Sequence, residues 1–546
     1  MKYGNLRGRA SLSNGGLFLR ISRFILALVG CLSSSVGTHW AAASAQEHQK
    51  VLRIGLSEIN TLDPLFTTQS VENLLVPLVF DPLVANFPDG TMVPRLAAVV
   101  PTTANGGISA DGKTITYRLR RNVRFHDGAP FTSADVVFTQ QAILNPRNNV
   151  SSREPFEVVS RVDAPDAYTV VEHLRRPFAP FVVQAFRAIL PAHLLKAYPD
   201  LNGVDFNASP VGTGPFVFDR WDRGNDVVYH RNAKYFLGTP VLDGIRVRFI
   251  PDQNAKIVAL QTGVIDWIPL VSESSAARTA AERGNFRWLS LPVNGFGGFR
   301  LNVAHPPLDD VRVRRAIQLA IDRATIVRNV YGNRFELATT DQPSWSWAYD
   351  RRLAPPRYDP QRSRKLLASA GWRPDKDGKA IKDGKPLSLT LVTPAEYQTV
   401  AQVALLAQAN LAAVGIDLTI KPEATNLLFG RGPGSLDNGD FDMTFSTFTD
   451  ANDPDDSRTF SCAAIPPGGF NVGRWCDKAY EKANAVALSH YDRPTRVRAY
   501  AQMQRALLDG VPEVFVYSNV QSHVFRNGVR VDERGRHLLF PAQWSI

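Results

Sequence analysis

Short alternating runs, polar turns and a few amphipathic stretches make up most of the chain. Residues 50–56 (Lys-Val-Leu-Arg-Ile-Gly-Leu) are apolar and are closed by Ser57-Glu58, which predicts a buried strand. Residues 114–120 alternate, with Ile115, Tyr117 and Leu119 on one side and Thr114, Thr116, Arg118 and Arg120 on the other. That predicts a half-exposed strand entered through an Asp111-Gly112 turn. Thr132-Ser133-Ala134-Asp135 has capping-box spacing, and a helix is predicted from there to about Leu144. Between Asp310 and Tyr331, Val313, Ile317, Ala320, Ile321, Ala324 and Val327 form one stripe. The spacing predicts a single helix, capped by Asp309 or Asp310 and stopped by Gly332. Arg312, Arg315 and Arg323 fall off the stripe and are expected on a solvated face.

A later stretch gives the fold class. Residues 387–393 alternate as a strand, 398–414 carry helical periodicity, Gly415 suits the position after a helix, and 416–420 alternate again. Strand, helix and strand with short joints form a crossover, so the sheet is at least partly parallel and the class is α/β. A helix over 495–508 and a strand over 514–520 follow. There is no internal repeat and no low-complexity linker, so joints between domains must be short strand-like crossings.

Composition excludes several classes. At 44% hydrophobic and 21% charged residues the chain is an ordinary globular one, and three Cys exclude a disulfide-dense scaffold. Residues 1–45 hold five basic residues, no acid, an apolar run from Phe24 to Leu32 and a terminal Ala43-Ser44-Ala45. This is the pattern of a bacterial secretory signal, leaving an exported soluble chain from about Gln46. The rival reading is a lipobox, Leu28-Val29-Gly30-Cys31, which would leave a lipid anchor on Cys31. Much of the formal charge of +11 sits in that leader. The rest is spread without a Lys/Arg block beside aromatics, which argues against nucleic acid. In an oxidising compartment Cys462 and Cys476 read most simply as a disulfide, with two buried thiols as the alternative.

Catalytic motifs are absent. There is no H-E-x-x-H, G-x-S-x-G, P-loop or S-x-x-K set. Gly212-Thr213-Gly214-Pro215 lacks an N–H at Pro215 and reads as a tight structural turn. His126-Asp127 reads as a polar turn at a strand end rather than as a base with its orienter. No enzyme, metal or cofactor follows from these residues.

Five stretches in order carry a resemblance. They are Arg53-Ile54-Gly55-Leu56 with Leu62-Asp63-Pro64; Asp111 to Arg120 with Val123-Arg124-Phe125-His126-Asp127-Gly128 and Phe131 to Val136; Pro210 to Phe216; Asp309 to Ala316 with Ala320-Ile321-Asp322-Arg323; and Ala370-Gly371-Trp372. From about Val51 onward the chain resembles the extracytoplasmic solute-binding proteins of bacterial ABC importers, family 5, the peptide/nickel class. The resemblance implies a two-lobed periplasmic-binding-protein fold of type II with a subdomain inserted in the first lobe. Lobe I would comprise 46–79, 205–293 and 515–546, the insertion 80–204, and lobe II 294–514. It also implies a periplasmic monomer that captures a di- or oligopeptide or related solute by hinge closure. The partners would be an ABC permease and its ATPase subunits, with no covalent chemistry.

In peptide-binding members a carboxylate of the second lobe takes the ligand ammonium. The matching run, Phe448-Thr449-Asp450-Ala451-Asn452-Asp453-Pro454, points to Asp450, beside Phe448. Asp453, Asp455 and Asp456 are expected only as a solvated turn or cap. Met443 to Phe448 lacks the Arg that oligopeptide binders carry, which leaves carboxylate recognition open. Trp345, Trp347 and Tyr349 form an aromatic loop, Phe296, Phe299 and Tyr517 lie near the crossings, and Glu58, Asn60 and Thr61 follow the first strand. All are candidates for the cleft. Alternative ligands in the same fold are an opine, an oligosaccharide or a metal chelate. Alternative classes are a secreted hydrolase and a receptor feeding a sensor.

Overall fold

The opening strand forms as the apolar run requires. In the computed structural model Val51–Leu56 pairs parallel with Gly244–Phe249, and Leu52, Ile54 and Leu56 are buried. The structure describes residues 49–271, 283–284, 286–430, 434–449, 453–533 and 540–546. The leader, with Cys31 and the cleavage site, lies outside the described residues. No helix among the described residues is long and apolar enough to cross a membrane.

The fold is mixed α/β and two-lobed. Its main sheet has eleven strands among the described residues. One end is built on the crossover read from the sequence: Ser388–Pro394 and Asp417–Glu423 pair parallel, joined by the helix Gln398–Ala412. Gly415 adopts φ +88°, as a residue just past a helix should. The other end holds Gly244–Phe249, Asp226–Arg231 and Phe216–Asp222. Two long antiparallel strands, Arg287–Leu301 and Glu513–Phe525, join the ends. Leu291 and Phe525 belong to one hydrophobic core, whereas Phe299, Leu301, Val514 and Val516 belong to another. The register between the two strands shifts between Pro292 and Phe296, and again between Gly297 and Gly298.

A separate three-stranded antiparallel sheet carries Thr114–Arg118 on one edge, Thr169–Leu174 in the centre and Val159–Asp166 on the other edge. Ile115 and Tyr117 are buried as the alternation demands. Thr132 and Asp135 form the expected capping box for Ser133–Leu144. Cys462 and Cys476 are bridged, with an S–S distance of 2.06 Å.

Two expectations need correction. Residues 310–331 form two helices, Val311–Ala320 and Arg323–Asn329. Asp322 breaks them apart: its carboxylate accepts from the Thr325 N–H at 3.0 Å and starts a new helix. Periodicity alone cannot see this, because every member of the stripe except the exposed Ala324 is buried across the two helices. Arg312 and Arg315 are exposed as expected, but Arg323 is buried. Its guanidinium donates to the carbonyls of Ala338 and Phe515, at 3.2 and 2.7 Å, and to that of Pro356. Unpaired carbonyls at an irregular segment supply what a solvated face would otherwise supply.

Candidate binding cavity

The two most recognisable sequence stretches hold each other. The His126 N–H donates to Gly212 O at 2.9 Å, and Gly212 N–H donates to His126 Nδ1 at 3.3 Å. Nε2 therefore carries the proton and donates to Gly214 O at 3.0 Å. Burial lowers the His126 pKa, which keeps this neutral tautomer. A Cβ on Gly212 would lie 1.9 Å from Val79 O, so the turn admits only glycine there. Asp127 is bonded to His193 at 2.7 Å instead of orienting His126. This network joins the two stretches to each other.

The principal cavity, of about 630 Å³, lies elsewhere. One wall comes from residues within 64–86, 143–158 and 176–188, the other from Phe448, Thr449, residues 455–459, Phe470 and Leu488. Among the described residues, two side-chain contacts cross between the walls, beside the backbone bond from Ala179 N–H to Leu488 O at 2.7 Å. Arg458 Nη1 meets Glu154 Oε2 at 3.1 Å, and Gln184 Nε2 donates to Asp455 Oδ2 at 3.4 Å. Asp455 Oδ1 accepts from Ser457 N and Oγ at 3.1 and 2.6 Å. Burial raises the Asp455 pKa, and the bonds from Ser457 oppose that rise. Glu154 is raised for the same reason, with Arg458 opposing.

Behind the second wall the acids are buried, contrary to the expected solvated turn. Asp453 accepts two bonds from Arg496 Nη2, at 2.7 and 2.9 Å, and Asp456 accepts from Tyr480 at 3.0 Å. Both are at most 4% exposed. Asp341 packs beside Asp456, and its pKa is raised by burial. A run of acids reads as solvent-seeking from sequence, but distant Arg496, Tyr480 and Ser457 give these their partners.

The candidate ligand residues fall in several places. Asp450 lies outside the described residues; its neighbour Thr449 lines the cavity. Phe448 also lines it, and the Arg300 guanidinium stacks on its ring at 4.6 Å. Arg300 pairs with Glu513 and donates to the carbonyls of Thr459 and Phe470, so one buried cation braces three residues of the wall. Phe296 and Phe299 are fully buried in the cores. Tyr517 is buried too, with its hydroxyl 2.7 Å from Thr447 Oγ1. Trp345 donates to Val293 O at 3.2 Å, beside the first crossing. Trp347 packs on Tyr500 at 5.6 Å between Arg493 and Arg496, and the Tyr349 hydroxyl lies 3.2 Å from Thr339 Oγ1. Glu58 is exposed, and Asn60 and Thr61 line a separate shallow recess with Asn149 and Asn202.

Sequence reasoning missed Glu154, Gln184, Arg187, Asp455 and Arg458 as cavity residues. Glu154 and Arg458 are separated by 304 positions, so no local pattern marks their meeting. Arg187 follows Phe186, a buried residue with φ +49° whose ring packs against Phe156 at 5.0 Å and Tyr117 at 5.8 Å. Among the described residues no group of three His, Cys, Asp or Glu is placed to hold a metal ion.

Comparison with known proteins agrees with this architecture. Residues 91–464 match the model of the bacterial extracellular solute-binding proteins, family 5 Middle. A probable di/tripeptide-binding protein 5 of Pseudomonas aeruginosa is 30% identical over 77% of this chain and 80% of its own length. The oligopeptide-binding protein AppA from Bacillus subtilis, solved with a nonapeptide, superposes with a TM-score of 0.75 at 25% identity. So does NikZ from Campylobacter jejuni, solved with Ni(L-His), at the same score and identity. Both comparisons cover 91% of this chain and 99% of the other. With a cavity walled from distant parts of the chain and a family match over most of its length, the chain belongs to the bacterial extracellular solute-binding proteins, family 5.

Proposed function

We propose that this protein is the capturing component of an ABC importer for short peptide or peptide-like cations. It would work outside the cytoplasm and pass its ligand unaltered to a membrane permease driven by ATPase subunits. The observation that carries the reading is the cavity itself. Its size suits a small molecule, and it contains a half-buried carboxylate, Asp455, whose hydrogen-bond partners are neutral. A ligand ammonium would complete that charge through a charge-assisted hydrogen bond. Asp450, next to the cavity-lining Thr449, is the second candidate for the same role.

In this reading 46–79, 205–293 and 515–546 form one lobe, 80–204 its insertion and 294–514 the other lobe. The two long strands with their register shifts are the hinge, and the Arg458–Glu154 and Gln184–Asp455 contacts form as the lobes close. The ligand's preference for the closed form supplies the closure.

Native mass spectrometry of the purified protein is expected to show a co-purified small ligand of unchanged structure. Small-angle scattering is expected to show a more compact form with ligand. Asp455→Asn and Asp450→Asn should be compared by calorimetry, and at least one should weaken binding of an amino-terminal ligand ~10-fold or more. A ligand released chemically altered, or scattering that never changes across a broad metabolite panel, overturns the reading.

A further inference from the structure

One cation of the cavity has no partner among the described residues. Three arginines line it, Arg176, Arg187 and Arg458. Arg458 is paired with Glu154, and Arg176 lies over the Phe178 ring at 5.3 Å. Arg187 has no hydrogen-bond, ion-pair or ring partner among the described residues. Its side chain is open to the cavity, yet the surrounding walls are close enough that desolvation lowers its pKa. The acids of the cavity do not relieve it. Asp81 is taken by Arg95 and Tyr235, Asp456 by Tyr480, Glu154 by Arg458, and Asp455 by Ser457 and Gln184, while Glu157, which also lines the cavity, makes no bond to Arg187.

Arg187 is exposed where the cavity opens, so its guanidinium is free to meet a ligand there. The backbone goes out of its way to place it. Phe186 takes a left-handed conformation, unusual for a bulky residue, and is locked by the Phe156, Phe181 and Tyr117 rings. Three residues before Arg187 on the same segment, Gln184 reaches Asp455 on the facing wall. One cavity therefore contains a carboxylate without a cation and a cation without a carboxylate.

We propose that Arg187 is the carboxylate anchor of this cavity, so that the protein selects ligands with a free carboxylate over the corresponding amides. The guanidinium's planar fork matches a carboxylate with two parallel bonds, which an amide cannot reproduce. The anchor comes from the 184–188 segment and not from the strand 443–449, where the sequence lacks an arginine. This inference rests on the solute-capture reading above and narrows its ligand to a zwitterion.

The test is calorimetry on the full mature chain with trialanine and its C-terminal amide as probes. The wild type is expected to bind the acid at least ~10-fold more tightly than the amide. Arg187→Gln should lower affinity for the acid by ~10- to 100-fold and bring the two probes to parity, with Arg187→Lys in between. Because Arg187 supports no neighbour, the melting temperature of Arg187→Gln should match or exceed the wild type, which separates ligand loss from misfolding. Equal binding of acid and amide by the wild type, or a preference that survives in Arg187→Gln, overturns the anchor and leaves solute capture standing. A wild type that binds neither probe overturns the peptide reading and the anchor with it.

Discussion

Replacing Arg300 with Met tests how the cavity wall is held. Arg300 is 1% exposed and Glu513 0%, and they form a buried ion pair. Removing one member of such a pair leaves the other charge uncompensated, at about 3–5 kcal/mol. For a chain this long the unfolding entropy makes 1 kcal/mol worth roughly 1 °C, so a fall of roughly 3–5 °C is expected at pH 8. The loss carries a pH signature. Burial already raises the Glu513 pKa and Arg300 opposes the rise, so without Arg300 it goes higher. A carboxyl with a raised folded pKa contributes stability below its unfolded pKa and loses it as pH rises through the folded value. The deficit of Arg300→Met should thus grow by up to about 1.4 kcal/mol per pH unit between the raised folded pKa of Glu513 in the wild type and its still higher one in the variant. Urea midpoints at pH 5 and pH 8 read this directly. Adding Glu513→Gln should recover most of the loss and abolish its pH dependence. A loss under about 1 kcal/mol at pH 8, equal losses at both pH values, or no recovery in the double variant would refute the reasoning.

Three other outcomes are expected. Replacing both Cys462 and Cys476 with Ser opens a loop with a sequence separation of 14 and should cost about 3 kcal/mol, read as a melting temperature roughly 3 °C lower; an unchanged melting temperature contradicts this. A Cβ at Gly297 would sit 2.2 Å from Tyr517 Cζ, so Gly297→Ala should destabilise by about 1–3 kcal/mol in urea. A loss within error would show that the Tyr517 ring can move aside. Burial pushes the Glu172 carboxyl up to about 8, so its contribution to stability falls as pH rises from about 5 to 8. Glu172→Gln should lessen the slope of the melting-temperature profile over that range, leaving the slopes of the other carboxyls that burial raises, Asp63 at about 7 among them; an unchanged slope defeats the assignment.

Much of the scaffold could be read from local pattern. The crossover 388–423, the strand 114–118 and the capping box at Thr132 each depend on neighbours within a few positions, where periodicity and capping chemistry act. The break at Asp322 was hidden because its effect is a side-chain bond and not a change in stripe. The cavity was mostly illegible. Phe448 and the Asp450 segment were reached through the family resemblance, whereas Gln184 and Glu154 acquire meaning only against residues about 270–300 positions away. The acids from Asp453 to Asp456 look like a hydrophilic loop until Arg496 and Tyr480 are brought to them.

The mutual grip of His126 with Gly212 and Gly214 has a consequence for how ligand preference can diverge. These two stretches are spent on holding one another, and the polar lining of the cavity comes from other segments. A library randomised at Gln184, Arg187, Asp455 and Arg458, which are not part of the buried core, should therefore retain the scaffold while changing its cargo. Two chains with the same signature need not share a nutrient.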